Sequence, residues 1–188
     1  MRIISGKYKG RRLISPHGKV RPTLDMVKGS LFSILQGRGL IDGARCLDIF
    51  CGTGGLGIEA LSRGAESCTF ADVDTSNAKA NTDMIGISCR FIRADYRKAV
   101  KLLSAERKTF DLIFCDPPYG ADFWRDIALR VCDGGILDKN GVIIVEHSSK
   151  NDLINAPENC IIERRVFGET ALDIITRGDD ESDICGSV

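Results

Sequence analysis

Residues 46–65 read Cys46-Leu47-Asp48-Ile49-Phe50-Cys51-Gly52-Thr53-Gly54-Gly55-Leu56-Gly57-Ile58-Glu59-Ala60-Leu61-Ser62-Arg63-Gly64-Ala65. The first residues form a short apolar run ending near Asp48 and Ile49, as a buried strand does. Gly52, Gly54, Gly55 and Gly57 then mark a tight turn, and Ile58, Ala60 and Leu61 open a helix that Gly64 stops. A strand, a glycine-rich turn and a helix place backbone N–H groups at the carboxyl end of a sheet, where nucleotide-like ligands dock. This stretch predicts an α/β fold.

The chain around it keeps the same rhythm. Strands are expected near 45–49, 68–72, 89–93, 111–115 and 141–146, with helices near 57–63, 75–84, 96–103 and 123–132. Alternating strands and helices read as a parallel sheet covered on both faces. Cys160–Phe167 and Ala171–Thr176 are β-prone runs joined by Gly168-Glu169-Thr170, and are expected to add an antiparallel hairpin at the sheet edge. Upstream, Thr23 suits an N-cap for a helix carrying Val27, Leu31 and Ile34 or Leu35 on one stripe and ended by Gly37 and Gly39. That helix is expected to cover the ligand cleft from one side. Residues 2–13 suit a small hairpin turning at Gly6 or Gly10. The expected organisation is a basic N-terminal arm over 1–20, one domain over 21–177 and an acidic, disordered tail over 178–188.

The spacing Gly52-x-Gly54-x-x-Gly57 fits either a dinucleotide or another nucleoside cofactor. Asp48 separates them: a carboxylate beside the turn repels a pyrophosphate but attracts a sulfonium cofactor with a cationic amino-acid end. Asp72, twenty residues after Gly52, suits the two ribose hydroxyls. Asp95 suits an adenine amine or the N-cap of the helix starting at Tyr96, or both. These residues favour S-adenosylmethionine over a nicotinamide cofactor.

Asp111-Leu112-Ile113-Phe114-Cys115 runs directly into Asp116-Pro117-Pro118-Tyr119. The prolines lack N–H donors and hold the loop out of helix, leaving its carbonyls free to accept. Asp116 adds a carboxylate acceptor, and Tyr119 a flat face. Two acceptors and a stacking surface suit an aromatic base with an exocyclic amine, held for in-line attack on a methyl group. Methylation at ring carbon would need an activated thiol. Cys51 and Cys115 fall near the cleft without a base partner in sequence and are read as packing residues.

The 188 residues suffice for one domain, and the 43% hydrophobic share supports a packed core. There is no apolar run of membrane-spanning length and no signal-peptide pattern at Met1–Lys7, so a cytosolic protein with no membrane association is expected. The eight cysteines lack paired Cys-x-x-Cys spacing and read as reduced thiols without metal. Net charge is zero, yet residues 1–30 hold Arg2, Lys7, Lys9, Arg11, Arg12, Lys19, Arg21 and Lys28 against Asp25 alone. A basic arm on a neutral chain suits nucleic acid, with Tyr8 offering a ring for stacking.

Four blocks resemble the bacterial small-subunit (16S) ribosomal RNA guanine-N2 methyltransferases. They are Arg2-Ile3-Ile4-x-Gly6-x-Tyr8-Lys9-Gly10-Arg11, Arg21-Pro22-Thr23, the run from Leu47 to Ala65, and Asp116–Tyr119. The resemblance extends to about Arg177. It implies a Rossmann-like class I methyltransferase fold with a seven-stranded sheet and S-adenosylmethionine as methyl donor. It further implies guanine N2 of small-subunit ribosomal RNA in an assembling subunit as acceptor, and a monomer is expected. Carried onto this sequence, the catalytic residues are Asp116, Pro117, Pro118 and Tyr119. The resemblance also places Asp48, Gly52, Gly54 and Asp72 at cofactor-contacting positions. Phe50 of the same run and Asp95 from the strand-end reading complete the expected cofactor set, and the basic arm supplies the expected RNA residues Arg2, Lys7, Lys9, Arg11, Arg12 and Arg21. Asp72 stands where members often carry Glu, and Cys51 and Thr53 stand where Ala and Ser are common. Other readings of the same residues are an adenine or glutamine amine methyltransferase, an inactive RNA-binding assembly factor and, least favoured by Asp48, a nicotinamide oxidoreductase.

Overall fold

A computed structural model describes residues 1–14, 22–118, 123–152 and 154–178. Twelve elements follow in order: α1 (Pro22–Gly37), β1 (Arg45–Ile49), α2 (Gly55–Ser62), β2 (Ser67–Asp72), α3 (Ser76–Ile85), β3 (Arg90–Arg93), α4 (Tyr96–Ala105), β4 (Phe110–Cys115), α5 (Phe123–Asp133), β5 (Leu137–Ser148), β6 (Cys160–Phe167) and β7 (Thr170–Arg177). The seven strands form one sheet in the order β3-β2-β1-β4-β5-β7-β6. Strands β1 to β5 pair in parallel, whereas β7 lies antiparallel to β5 and β6. The order reverses at β1, whose neighbours are β2 and β4, and the carboxyl ends of those strands frame the cleft.

Both faces of the sheet are covered, so the central strands carry apolar residues on both faces rather than alternating, with Asp48 of β1 a buried exception. In β4, Leu112 and Phe114 join a core with Leu31, Phe32, Ile58 and Phe70, while Ile113 and Cys115 join a second core with Leu103, Ile127 and Val131. The first core lies under α1 and α2, and the second under α4 and α5. No helix among the described residues is long and apolar enough to cross a membrane.

Three local expectations differ from the structure. Helix α1 already includes Pro22, so Thr23 is an interior residue rather than the N-cap. Proline's fixed φ suits the first helical position, where its missing N–H costs nothing. Strand β5 begins at Leu137 rather than 141, taking in Asp138-Lys139-Asn140-Gly141. A register shift between Phe110 and Leu112 admits this segment. Gly141 permits the approach, because a Cβ there would lie 2.9 Å from the Phe110 carbonyl oxygen. Finally, Cys89 precedes β3 instead of sitting within it.

The N-terminal hairpin is part of the packed structure. Ile3 and Leu13 are buried in the first core, and the ladder holds one bridge, Arg2 to Arg12. Its turn lies on the end of α2, where Lys7 N–H donates to the Ser62 carbonyl at 2.7 Å and Tyr8 N–H to Ser62 Oγ at 3.0 Å. Gly6, at φ +81°, passes so close that a Cβ would lie 1.8 Å from the Ser62 carbonyl oxygen. Lys19, Arg21, Tyr119 and the tail from Asp179 onward fall outside the described residues.

Candidate active site

The β1–α2 turn is built by its glycines and by Asp48. Gly52 and Gly54 take φ of +51° and +77°, which L side chains resist. Gly57 must lack a side chain, since a Cβ would fall 2.5 Å from the Phe70 ring and 2.6 Å from Cys68 Sγ. Gly54 N-caps α2 without a side chain to offer, and Asp48 supplies that function from β1: its Oδ2 accepts the Gly57 N–H at 2.9 Å. Asp72, at the end of β2, accepts the Gly52 N–H at 2.9 Å through Oδ2 and the Asp74 N–H at 3.2 Å through Oδ1. The turn is therefore tied to two strand-end carboxylates.

Two cavities open on either side of this frame. The larger, about 370 Å³, is lined by Phe50, Asp72, Val73, Asp95, Tyr96 and Asp116, among others. The smaller, about 170 Å³, is lined by Asp48, Phe50, Gly52, Lys28, Asp116 and Glu146, with Met1 and Leu31 at its side. Phe50 and Asp116 border both. Phe50 adopts φ +60°, unusual for a residue with a side chain, and its ring centroid lies 5.3 Å from that of Tyr96. A strained residue shared by two cavities is a mark of a functional cleft.

The cleft is acidic. Burial pushes the Asp48 carboxyl up to about 7; the Gly57 N–H opposes that rise, and the charges of Asp116 and Asp72 add to it. Asp116 is open to solvent along the cleft and ringed by protein on its remaining sides, and this loss of hydration raises its carboxyl to about 6. Clustered carboxylates are poor neighbours for a pyrophosphate and good ones for a cation. A nucleoside with a sulfonium and an ammonium group fits this donor set: Asp72 and Asp95 line the chamber of nucleoside size, and Asp48 and Asp116 lie toward the other.

The structure brings together Asp48, Phe50, Gly52, Asp72, Asp95, Asp116 and Pro118, each at one cavity or both. Pro117 is buried beside them. Asp95 is both an N-cap, accepting from the Arg97 and Lys98 N–H groups, and a cavity residue. Gly54 departs from expectation: it lines neither cavity, and its N–H goes to the Cys51 carbonyl at 2.6 Å. Its role is to shape the turn, with an added Cβ meeting Ala78, Ile58 and Phe70 at 3.2 Å. Cys51 and Cys115 are buried, and burial raises both thiols above their ordinary range, with nearby carboxylates adding to the effect. Neither is a ready thiolate.

Of the basic arm, Lys7, Lys9, Arg11 and Arg12 are exposed, and Arg2 is exposed with an ion pair to Asp25 at 3.6 Å. Lys28 does not belong with them. It is buried, donates to the Arg2 carbonyl at 2.9 Å and pairs with Glu59 at 3.4 Å. Tyr8 is half-buried against the core with Lys7 and Arg11 at 5.3 and 5.6 Å from its ring, so the ring is engaged in packing rather than held out for a base. Sequence reasoning also passed over Tyr96, Glu59 and Glu146. Tyr96 was visible only as the residue after a cap, and Glu59 only as one acid among apolar neighbours.

Fold and cleft together define a Rossmann-like class I methyltransferase fold with an acidic two-chambered site. The family described as Conserved hypothetical protein 95 matches residues 1–176. The chain is 35% identical over 181 residues to YlbH of Bacillus subtilis, covering 93% of this chain and 97% of that protein. It is 31% identical over 189 residues to ribosomal RNA small subunit methyltransferase D of Escherichia coli K12, covering 97% and 94% respectively. The solved structure of yhhF from Escherichia coli superposes with a TM-score of 0.82 at 30% identity, over 95% of this chain and 98% of that one. The chain belongs to the Conserved hypothetical protein 95 family, together with ribosomal RNA small subunit methyltransferase D.

Proposed function

We propose that the protein transfers a methyl group from S-adenosylmethionine to the exocyclic N2 amine of a guanine in small-subunit ribosomal RNA. The observation that carries this reading is the position of Asp116, a carboxylate on the border of both cavities and the first residue of the Asp-Pro-Pro loop. The family relationship supports the substrate class.

In this reading Asp72 and Asp95 hold the nucleoside end of the cofactor and Asp48 favours its cationic end. When bound, the cofactor supplies an electrophilic methyl group on a sulfonium. The chain's own residues prepare the acceptor. An aryl amine is a weak nucleophile because its lone pair is delocalised into the ring. Asp116, ionised at neutral pH, accepts one N–H of the amine, and the Pro117 carbonyl accepts the other. This orients the lone pair toward the methyl group, so positioning and electrostatics lower the barrier. As the nitrogen gains its methyl group it sheds one proton, and a carboxylate titrating near 6 is matched to take it. Tyr119 completes the loop in sequence and is assigned to stacking on the base.

Incubation with tritiated S-adenosylmethionine and unmethylated small-subunit ribosomal RNA, or partly assembled subunits, places label in N2-methylguanosine after digestion. Label in another nucleoside would keep the fold and overturn the acceptor assignment. No label, with cofactor binding intact, would favour an RNA-binding factor without activity.

The exposed bases of the hairpin are the RNA grip in this reading. Replacing Lys7, Lys9, Arg11 and Arg12 together with Ala is expected to weaken RNA binding and to flatten the slope of log Kd against log salt by up to about 3, since each phosphate that a base neutralises adds about 0.7–0.9 to that slope. A quadruple variant that binds with the parent's affinity and salt slope would remove the arm from the interface.

A further inference from the structure

We propose that Lys28 binds the α-carboxylate of the cofactor's amino-acid end, so that the smaller cavity reads that end as a zwitterion. The inference rests on S-adenosylmethionine as the cofactor and is independent of which base is methylated.

Lys28 comes from α1, outside the glycine turn. Its side chain is 7% exposed, and the residue lines the 170 Å³ cavity. An ammonium has three N–H groups to place. One donates to the Arg2 carbonyl at 2.9 Å and one faces Glu59 Oε2 at 3.4 Å. Among the described residues the third has no acceptor. A buried donor left over beside a cavity asks for a ligand that accepts.

The charges point the same way. Glu59 is also held by Arg63 Nε at 2.8 Å, and that side chain is equally buried. Two nearly buried cations therefore share one carboxylate, and the excess is positive. Asp25, whose charge also reaches Lys28, is paired with Arg2 at 3.6 Å. Burial lowers the Lys28 pKa from its ordinary value, with Glu59 opposing the fall. A second anion at the ammonium offsets that loss of hydration.

The cavity is thus bipolar. Asp48 and Asp116 line it from the ends of β1 and β4, and Lys28 from α1. Gly55 and Leu56 line it at the start of α2, whose cap, Gly54, offers no side chain, so the positive end of the helix lies on the cavity too. An amino-acid end carries an ammonium and a carboxylate on one carbon. The acidic strand ends suit the ammonium, and Lys28 with the first turn of α2 suits the carboxylate. A cavity with acids alone would favour the amine without its carboxylate.

The test is calorimetric binding to the full-length protein without RNA. The probes are S-adenosylhomocysteine and 5′-deoxy-5′-(3-aminopropylthio)adenosine, which keeps the nucleoside, thioether and ammonium and lacks the carboxylate. Wild type is expected to favour S-adenosylhomocysteine by about 10²-fold in Kd, the scale of a hydrogen bond between charged groups. Lys28→Met narrows that preference to below about 10-fold by weakening S-adenosylhomocysteine, with the Kd of the amine nearly unchanged. Glu59 keeps Arg63 and the Ile4 and Ser5 amides in that variant, so no buried carboxylate is stranded. Equal affinity of the wild type for the two probes, a result that needs no variant, would overturn the proposal. So would a Lys28→Met variant that weakens both alike or keeps the full preference. Binding of neither probe by the wild type would instead overturn the cofactor assignment, and the proposal with it.

Discussion

Asp116→Ala reduces methyl transfer by at least about 10³-fold, the scale for removing a group that both orients an acceptor and takes its proton. S-adenosylhomocysteine continues to raise the melting temperature of the variant by nearly the wild-type increment, because the nucleoside chamber retains Asp72, Asp95, Phe50 and Tyr96. The split between chemistry and binding is the informative part. A variant that loses cofactor binding and activity together would make Asp116 a cofactor ligand instead.

The same residue fixes a pH dependence. The protein crowding its inner sides strips hydration from Asp116 and holds its carboxyl at about 6 in the free protein. It accepts N–H groups only when ionised, so kcat/KM falls as pH drops through about 6 and levels off above it. Asp48, raised to about 7 and repelled by Asp116, titrates in the same range, so the profile reports the carboxylates jointly. Asp116→Ala leaves residual activity whose acidic limb is weakened and displaced, only the Asp48 part remaining. A limb that persisted unchanged in the variant would assign it to Asp48 or to the RNA.

The sequence was most legible where backbone geometry and residue type coincide. The positive-φ glycines of the β1–α2 turn, the strand-end acids and the proline loop each have a local cause, and the structure places them around one cleft. The alternation of strands and helices and the C-terminal hairpin followed from apolar runs and turn residues, whereas the strand order did not. What escaped depends on distant chain segments meeting. Gly54 reads as a ligand contact until its N–H is found on the Cys51 carbonyl. Lys28 counts as a surface base until α1 packs it over Glu59, and Tyr8 as a stacking ring until Lys7 and Arg11 approach it. The polar knot of His147, Arg164 and Asp173 is of the same kind: Asp173 is fully buried, and its partners arrive from β5 and β6. No spacing within one element announces such a contact.

Glu59→Ala is expected to be the most destabilising single change outside the apolar cores. Its fully buried carboxylate accepts the Ile4 and Ser5 N–H groups at 2.8 and 3.0 Å and Arg63 Nε at 2.8 Å, and pairs with Lys28 at 3.4 Å. Removing it strands a buried ammonium, the nearly buried Arg63 guanidinium and two amides, for a cost of about 3–5 kcal/mol and a fall in melting temperature of roughly 10 °C. RNA affinity falls with it, since the carboxylate anchors the hairpin that carries Lys7, Lys9, Arg11 and Arg12. A double variant, Lys28→Met with Glu59→Leu, separates the contributions. Apolar replacement of a buried ion pair is close to neutral by itself, so the Lys28 part of the loss is recovered. The Ile4 and Ser5 amides and the Arg63 guanidinium still lack their acceptor, and about 1–3 kcal/mol or more remains missing. Complete recovery in the double variant would show that Ile3 and Leu13 dock the hairpin by apolar burial, with Glu59 doing no more than neutralise Lys28.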